Sequence, residues 1–277
     1  MKQSGDQPRL AARLVAPLLR LIPTRVKGSL SRSRILAPVL SRVYRGMGQQ
    51  LCKVPTLSLP MILDMTNPHH RPYLSSIPPE PHVNEFIEAT VKPGWFTIDV
   101  GAFAGYYTLL LAHHVGPTGR VTAFDPAVDC CSYISASVQT NSLSHVRVEC
   151  AAVGSTVGTA SVRPQLLDGA RSPGSETTVE TSPSRGDRIP LVTLDHYLAK
   201  ESWARLNFVK IDAEGMELEI LHGMDEVIRI YHPIILMEMH RSEEHSLFRD
   251  FFVKRGYTIR LLGRTSYAEH VVASHDG

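Results

Sequence analysis

The sequence predicts an α/β fold: an open parallel or mixed sheet with helices on both faces. Three observations predict it. Short apolar runs alternate with helix-length segments from residue 80 onward. Two of the runs, ending at Asp99 and Asp125, finish in an acid. A glycine turn, Gly101 to Gly105, follows the first run directly. Apolar strands separated by helices are the pattern of a sheet buried on both sides.

The elements follow in order. Residues 8–47 read as two or three short helices separated by Pro17, Pro23 and Pro38, with Leu10, Leu14, Leu18 and Leu21 as an apolar stripe at helical spacing. A strand pair is expected within 52–64. Residues 65–73, Met-Thr-Asn-Pro-His-His-Arg-Pro-Tyr, form a polar loop and a candidate rim of an active site. A helix over 80–91 leads through Lys92-Pro-Gly94 into strand 95–100, and Gly105 opens the next helix. Strand 121–124, helix 129–141 and strand 145–149 come next. Residues 163–190 hold Pro164, Pro173, Pro183 and Pro190 among many Gly, Ser, Thr and Arg, which predicts an excursion from the fold. It reads equally as a lid or an insertion. A helix begins at Asp195, and strand 206–212, helix 214–224, strand 234–240 and helix 244–255 follow. Residues 257–262 and 269–273 close the sheet as an antiparallel pair. This divides the chain into a basic N-terminal extension with an acceptor-side segment, 1–75, and a main domain, 76–277, carrying the 163–190 insertion.

The 277 residues suffice for one large domain with an appendage. The net charge of +2 is unevenly spread. Residues 1–50 hold ten Lys and Arg against one acid, Asp6, whereas the remainder holds 19 basic and 26 acidic residues. Such an arm suits peripheral contact with an anionic membrane surface or a partner, and equally a solvated helical face. Its one aromatic residue, Tyr44, argues against nucleic acid. The leucine stripe makes a homodimer an open reading. The apolar stretch 10–22 is broken by Arg13, Pro17 and Arg20, so neither a membrane span nor a signal peptide is expected. Cys52, Cys130, Cys131 and Cys150 form no C-x-x-C pair, which fits a reducing, cytoplasmic setting without a cysteine zinc site.

Acids at strand ends about twenty residues apart suit an adenosyl cofactor, because the second can hold ribose hydroxyls. A dinucleotide needs G-x-G-x-x-G so that backbone approaches pyrophosphate. Phe103 stands where the second glycine would be. S-adenosylmethionine has no phosphate and needs only the tight turn and an acid for its amino group, which Gly101 and Asp99 supply.

Open α/β sheets bind ligands beyond the carboxyl ends of their strands. Asp212, Glu238 and His240 fall there. Asp212 lies within Val209-Lys-Ile-Asp-Ala-Glu-Gly-Met-Glu217 and should face the crevice, whereas Glu214 and Glu217 also suit a helix N-terminus. A buried Glu238 must be paired or serve a purpose, and Lys210 is one candidate partner. His240 is the candidate general base. Asp212 and Glu238 are candidate oxygen ligands for Mg²⁺.

The stretch 92–107, Lys-Pro-Gly-Trp-Phe-Thr-Ile-Asp-Val-Gly-Ala-Phe-Ala-Gly-Tyr-Tyr, resembles the FkbM family of S-adenosylmethionine-dependent methyltransferases. So do Phe124-Asp-Pro126, Asn141, Ala151-Ala-Val-Gly154, Val192-Thr-Leu-Asp195, and above all Phe208-Val-Lys-Ile-Asp-Ala-Glu-Gly-Met-Glu217, with Gly223 and Glu238. The resemblance spans about 80–240. It implies a Rossmann-like class I methyltransferase sheet, with Asp99, Gly101, Ala102, Gly105 and Asp125 holding the cofactor and Tyr106 and Ala152 lining its pocket. It implies O-methylation of a sugar hydroxyl in a saccharide, polysaccharide precursor or glycolipid, and a place near the acceptor or a metal for Asp212 and Glu238. Phe103, Asp125 and Ser137 depart from the family's usual Asn, Glu and Asn. A polyketide or other acceptor and a non-catalytic scaffold are the alternatives that these residues leave open.

Overall fold

A computed structural model describes residues 48–163, 166–167, 170–171, 178–180, 187–239, 245–266 and 268–275; the side chains of 162–187 are not described. The helices expected within residues 8–47, and His240, lie outside the described residues. The chain divides into two compact units, one ending at Pro79 and one beginning at Glu80.

In the first unit, β1 (Gln49–Cys52) and β2 (Met61–Asp64) pair as an antiparallel ribbon. The expected polar loop is a 3₁₀ turn over Pro68–Leu74. Its polar residues serve its own shape. Asn67 accepts from the His69 N–H at 2.9 Å, and buried His70 accepts from the Asp64 N–H at 2.9 Å. Burial pushes the His70 imidazole down to about 4, so it stays neutral. These two side chains thus hold the turn together.

The second unit carries α1 (Pro81–Thr90), β3 (Phe96–Val100), α2 (Tyr106–Val115), β4 (Arg120–Asp125), α3 (Val128–Thr140) and β5 (Val146–Cys150). Short strands β6 (Ala152–Val153), β7 (Gly158–Arg163), β8 (Leu166–Leu167), β9 (Ala170–Arg171), β10 (Thr178–Glu180) and β11 (Asp187–Val192) follow. The chain then runs α4 (Leu194–Lys200), β12 (Phe208–Ile211), α5 (Glu217–His222), α6 (Asp225–Tyr231), β13 (Ile234–Met239), α7 (His245–Val253), β14 (Tyr257–Arg264) and β15 (Glu269–His275).

The main sheet has seven strands in the order β14-β15-β13-β12-β3-β4-β5. The five from β13 to β5 are parallel, and β15 runs antiparallel between β13 and β14. This is the expected Rossmann-like class I methyltransferase sheet. Because parallel crossovers are right-handed, the helices that step outward from β3 to β5 and those that join β12 to β13 cover opposite faces. The inner strands are buried almost throughout, which explains why apolar residues fall on both of their faces. The largest core cluster joins Ile98, Val209, Ile211 and Ile235 to Tyr197, Ile220, Val227, Phe248 and Phe252 on the flanking helices.

Two details differ from the sequence reading. The helix expected over 214–224 is α5, which begins only at Glu217 and ends at Gly223 as expected, and a second short helix, α6, follows it. A Cβ on Gly223 would lie 1.9 Å from the Gly154 carbonyl oxygen, so glycine is required for that close approach. The Pro- and Ser-rich region contains strands: β7 pairs antiparallel with both β10 and β11, and β11 pairs parallel with β6. Cross-strand pairing over some thirty residues leaves little local signal, so composition hid it. No described helix is long and apolar enough to cross a membrane.

Candidate active site

Strand order reverses between β3 and β12, and the loops leaving these two strands meet. Gly101 has φ +77°, and a Cβ there would lie 1.6 Å from the Asp212 carbonyl oxygen. Only glycine permits that turn and that contact. The Gly101 and Ala102 N–H groups both donate to the Phe124 carbonyl, at 2.9 and 3.1 Å. Phe103 adopts φ +50°, and its N–H donates to Asp125 Oδ2 at 2.7 Å. Asp125 Oδ1 accepts from the Ala127 N–H at 2.8 Å. Asp125 thus ties both loops at the ends of β3 and β4. Gly105, at φ +85°, is the residue before α2, and a Cβ there would press on Ile134 at 3.0 Å.

Burial raises the Asp125 carboxyl from its ordinary 3.8 to about 7. The folded state therefore keeps a proton between about pH 4 and 7 that the unfolded chain has released. Its contribution to stability falls as pH rises through that window and levels off above about 7. Denaturant midpoints taken from pH 4.5 to 8 should show this slope, and Asp125→Asn should lose that share of it. The same variant leaves one of the two N–H donors without its partner, an expected cost of about 1–3 kcal/mol in the same titrations.

Asp99 is fully buried at the end of β3. Its Oδ2 accepts from the Thr108 hydroxyl at 2.7 Å, while Oδ1 has no hydrogen-bond partner among the described residues. Burial raises its carboxyl, and the nearby Lys210 ammonium opposes that rise. An orphaned carboxyl oxygen beside a side-chain-free turn fits a cofactor carrying cationic groups and no phosphate.

Lys210 lies opposite Asp99 in the β12–β3 register and is almost wholly buried. Its Nζ donates to Asp212 Oδ2 at 3.0 Å and sits 4.7 Å from the centre of the Tyr107 ring. Burial alone would lower its pKa; Asp212, Asp99, Glu80 and Glu238 together outweigh that and hold it above the ordinary lysine value. Lys210 thus pairs with Asp212, and the Glu238 charge that the sequence offered as its partner acts on it less strongly. Glu217 is spent on the turn, where its Oε1 accepts from the Ala213 and Gly215 N–H groups at 3.3 and 3.0 Å.

Glu238, near the end of β13, is buried, and burial followed by the charge of Asp212 raises it to about 7. Antiparallel pairing sets it opposite His270 on β15. His270 Nε2 lies 3.4 Å from Glu238 Oε2 and 3.9 Å from Glu80 Oε1. Glu80, at the start of α1, accepts a short hydrogen bond from the Tyr107 hydroxyl. His82 Nε2 and His270 Nδ1 share a proton across 3.0 Å.

Glu80, His82 and His270 were absent from the sequence-predicted set, although helix 80–91 and strand 269–273 were expected. The alternation of β15 could have shown that His270 shares a face with Val272, but not what it faces. Of the other expected pocket residues, Ala102 packs on Ala123 and Ile134, and Ala152 on Ala160, Ile189 and Leu191. Tyr106 is buried, its hydroxyl accepting from Asn84 Nδ2 at 2.6 Å.

A family model described as the Methyltransferase FkbM domain matches residues 99–259. Among solved structures, a methyltransferase FkbM from Methylobacillus flagellatus KT is similar at 16% identity and TM-score 0.49, over 69% of this chain and 50% of that one. The chain thus spans about half the length of that protein. A precorrin-6y C5,15-methyltransferase from Geobacter metallireducens GS-15 is similar at 10% identity and TM-score 0.46, over 73% and 92%. Aeropyrum pernix fibrillarin, with S-adenosyl-L-methionine natively bound, is similar at 9% and 0.45, over 69% and 73%. No curated protein matches the chain.

Proposed function

The chain belongs to the FkbM methyltransferase family, and from that premise we propose that it is an S-adenosylmethionine-dependent O-methyltransferase acting on a sugar hydroxyl of a saccharide or glycolipid. The observation that carries the reading is the Gly101 turn seated on the Asp212 carbonyl, with the orphaned Asp99 oxygen beside it at the strand switch point. When bound, S-adenosylmethionine supplies an electrophilic methyl group. Asp99 holds its amino group, Gly101, Ala102 and Gly105 shape the turn around it, Asp125 serves its ribose, and Tyr106 and Ala152 border its pocket.

On this reading, Asp212 and Glu238 receive hydrogen bonds from the acceptor and fix one hydroxyl oxygen in line with the methyl carbon. Geometry of this kind supplies much of the barrier reduction in a displacement reaction. With S-adenosylmethionine bound, the acceptor oxygen would take its methyl group from sulfur, and the hydroxyl proton would pass to a base. His240 is that base by its sequence position. Carboxylates clustered at the strand ends suit a polyhydroxylated acceptor, because each sugar hydroxyl is a donor they can accept from.

Calorimetric titration with S-adenosylhomocysteine, with NADH as the control, is the first test. Micromolar binding of the homocysteine compound alone is expected; its absence would overturn the cofactor assignment. With a methylatable saccharide in hand, His240→Ala should lower kcat at least tenfold and leave the S-adenosylhomocysteine affinity within twofold. An unchanged kcat would remove His240 from the chemistry.

A further inference from the structure

We propose that Glu80, Glu238 and His270 bind one divalent transition-metal ion, Mn²⁺ or Zn²⁺, with at least one coordination position left for an outside oxygen. Each of the three offers one ligand atom, and these atoms lie within 4.8 Å of one another. All three side chains are buried, with His270 at 1% exposure.

The spacing fits an ion better than a hydrogen bond. Metal–ligand bonds of about 2.0–2.1 Å at a tetrahedral angle hold ligand atoms about 3.3–3.4 Å apart. His270 Nε2 stands 3.4 Å from Glu238 Oε2 without any movement. The 3.9 Å to Glu80 Oε1 needs a shift of only a few tenths of an ångström. Hydrogen bonds between such groups would be near 2.7–3.0 Å.

The second observation is the histidine itself. Among the described residues its buried Nε2 makes no hydrogen bond of good geometry, although it points at two carboxylates, with only a long 3.4 Å approach to Glu238. Its other nitrogen, Nδ1, is engaged by His82 at 3.0 Å. One ring nitrogen fixed by a neighbour and the other turned toward carboxylates is the arrangement of a metal-bound imidazole. When His270 donates from Nδ1, the Nε2 lone pair faces those carboxylate oxygens, and a cation between them removes the repulsion. The Tyr107 hydroxyl occupies Glu80 Oε2 and so leaves Oε1 turned inward.

Charge points the same way. Four carboxylates, Asp99, Asp212, Glu80 and Glu238, act on one buried ammonium, Lys210. Asp212 pairs with that lysine through Oδ2, and the ligand atoms that converge are those of Glu80, Glu238 and His270. One imidazole with two carboxylates also changes the class of ion, because mixed nitrogen and oxygen donors suit Mn²⁺ or Zn²⁺, whereas Mg²⁺ favours oxygen alone. The ion's use rests on the methyl-transfer reading: it would bind the acceptor hydroxyl and lower its pKa.

Full-length protein is stripped with chelator and titrated calorimetrically with MnCl₂ and with ZnCl₂. One ion per chain with micromolar or tighter affinity is expected. His270→Gln and Glu238→Gln should each weaken binding at least tenfold, and His82→Ala by about 10–100-fold, the range for lost outer-shell support. S-adenosylhomocysteine affinity serves as the check that each variant is folded. The Mn²⁺-loaded unmutated protein should show electron spin-echo coupling to an imidazole nitrogen, a readout that needs no variant. No saturable binding of either ion, or bound Mn²⁺ without that coupling, overturns the site. Metal binding without S-adenosylhomocysteine binding would keep the site and remove the methyl-transfer reading; the reverse result would do the opposite.

Discussion

Gly101→Ala is expected to abolish S-adenosylhomocysteine binding and to unfold a large fraction of the protein. Two costs combine. The residue sits at φ +77°, where an L side chain costs about 1–2 kcal/mol. The added Cβ would also overlap the Asp212 carbonyl oxygen at 1.6 Å, and that atom is backbone, so it cannot rotate away. Relief requires separating the β3 and β12 loops, which form the crevice. Gly94→Ala is the matched control. It has φ +81°, but its Cβ would meet only the side chain of Thr118, at an ordinary 3.6 Å. Gly94→Ala should therefore lose about 1–2 kcal/mol in a urea titration and keep full cofactor affinity. Equal behaviour of the two variants would show that the loop contact does not shape the pocket.

Lys210→Met is expected to destabilise the second unit by about 3–5 kcal/mol at pH 8, the usual cost of stranding buried charges. Four carboxylates lose their shared ammonium in this variant. The loss should shrink on acidification, and the sign follows from linkage. Asp99 already has a raised carboxyl pKa through burial, and Lys210 is what opposes the rise. Without the lysine the folded state holds protons at a pH where the unfolded chain has released them. Stability of the variant then falls as pH rises from the ordinary carboxylate range upward, more steeply than in the unmutated protein. Urea midpoints at pH 5.5 and pH 8 measure it. A variant as stable as the parent at pH 8, or one with no added pH slope, would mean that the carboxylates are compensated by other groups.

The main sheet was largely legible in the sequence. Ile98, Phe124, Val209 and Ile235 lie in short runs rich in apolar residues, because parallel strands are buried on both faces, and this signal is local. The acids Asp99, Asp125 and Asp212 could be placed at strand ends for the same reason, and the handedness of crossovers then brings those ends to one edge. Gly101 and Gly105 announced a tight turn. The need for glycine at 101 came from elsewhere, since its neighbour Asp212 is over a hundred residues away.

What each polar group faces was decided by tertiary structure alone. His270 meets Glu238 because β15 pairs antiparallel with β13 in one register, and a shift by a single residue would turn the histidine to the other face. Irregular pairing between Leu261 and Gly263 on β14 adjoins that register, and no short-range pattern in the sequence fixes it. Glu80 and His82 enter from the start of α1, a helix whose apolar pattern says where it packs but not where its first turn ends. Lys210 had several acids within reach in sequence, and the fold chose Asp212. By itself the sequence determined which segments become strands and helices and which strand ends carry charge, because periodicity and burial are properties of neighbours along the chain. The pairing of Asp212 with Lys210, and of His270 with Glu80 and Glu238, depends on contacts across the sheet, where register and loop closure decide which buried charges meet.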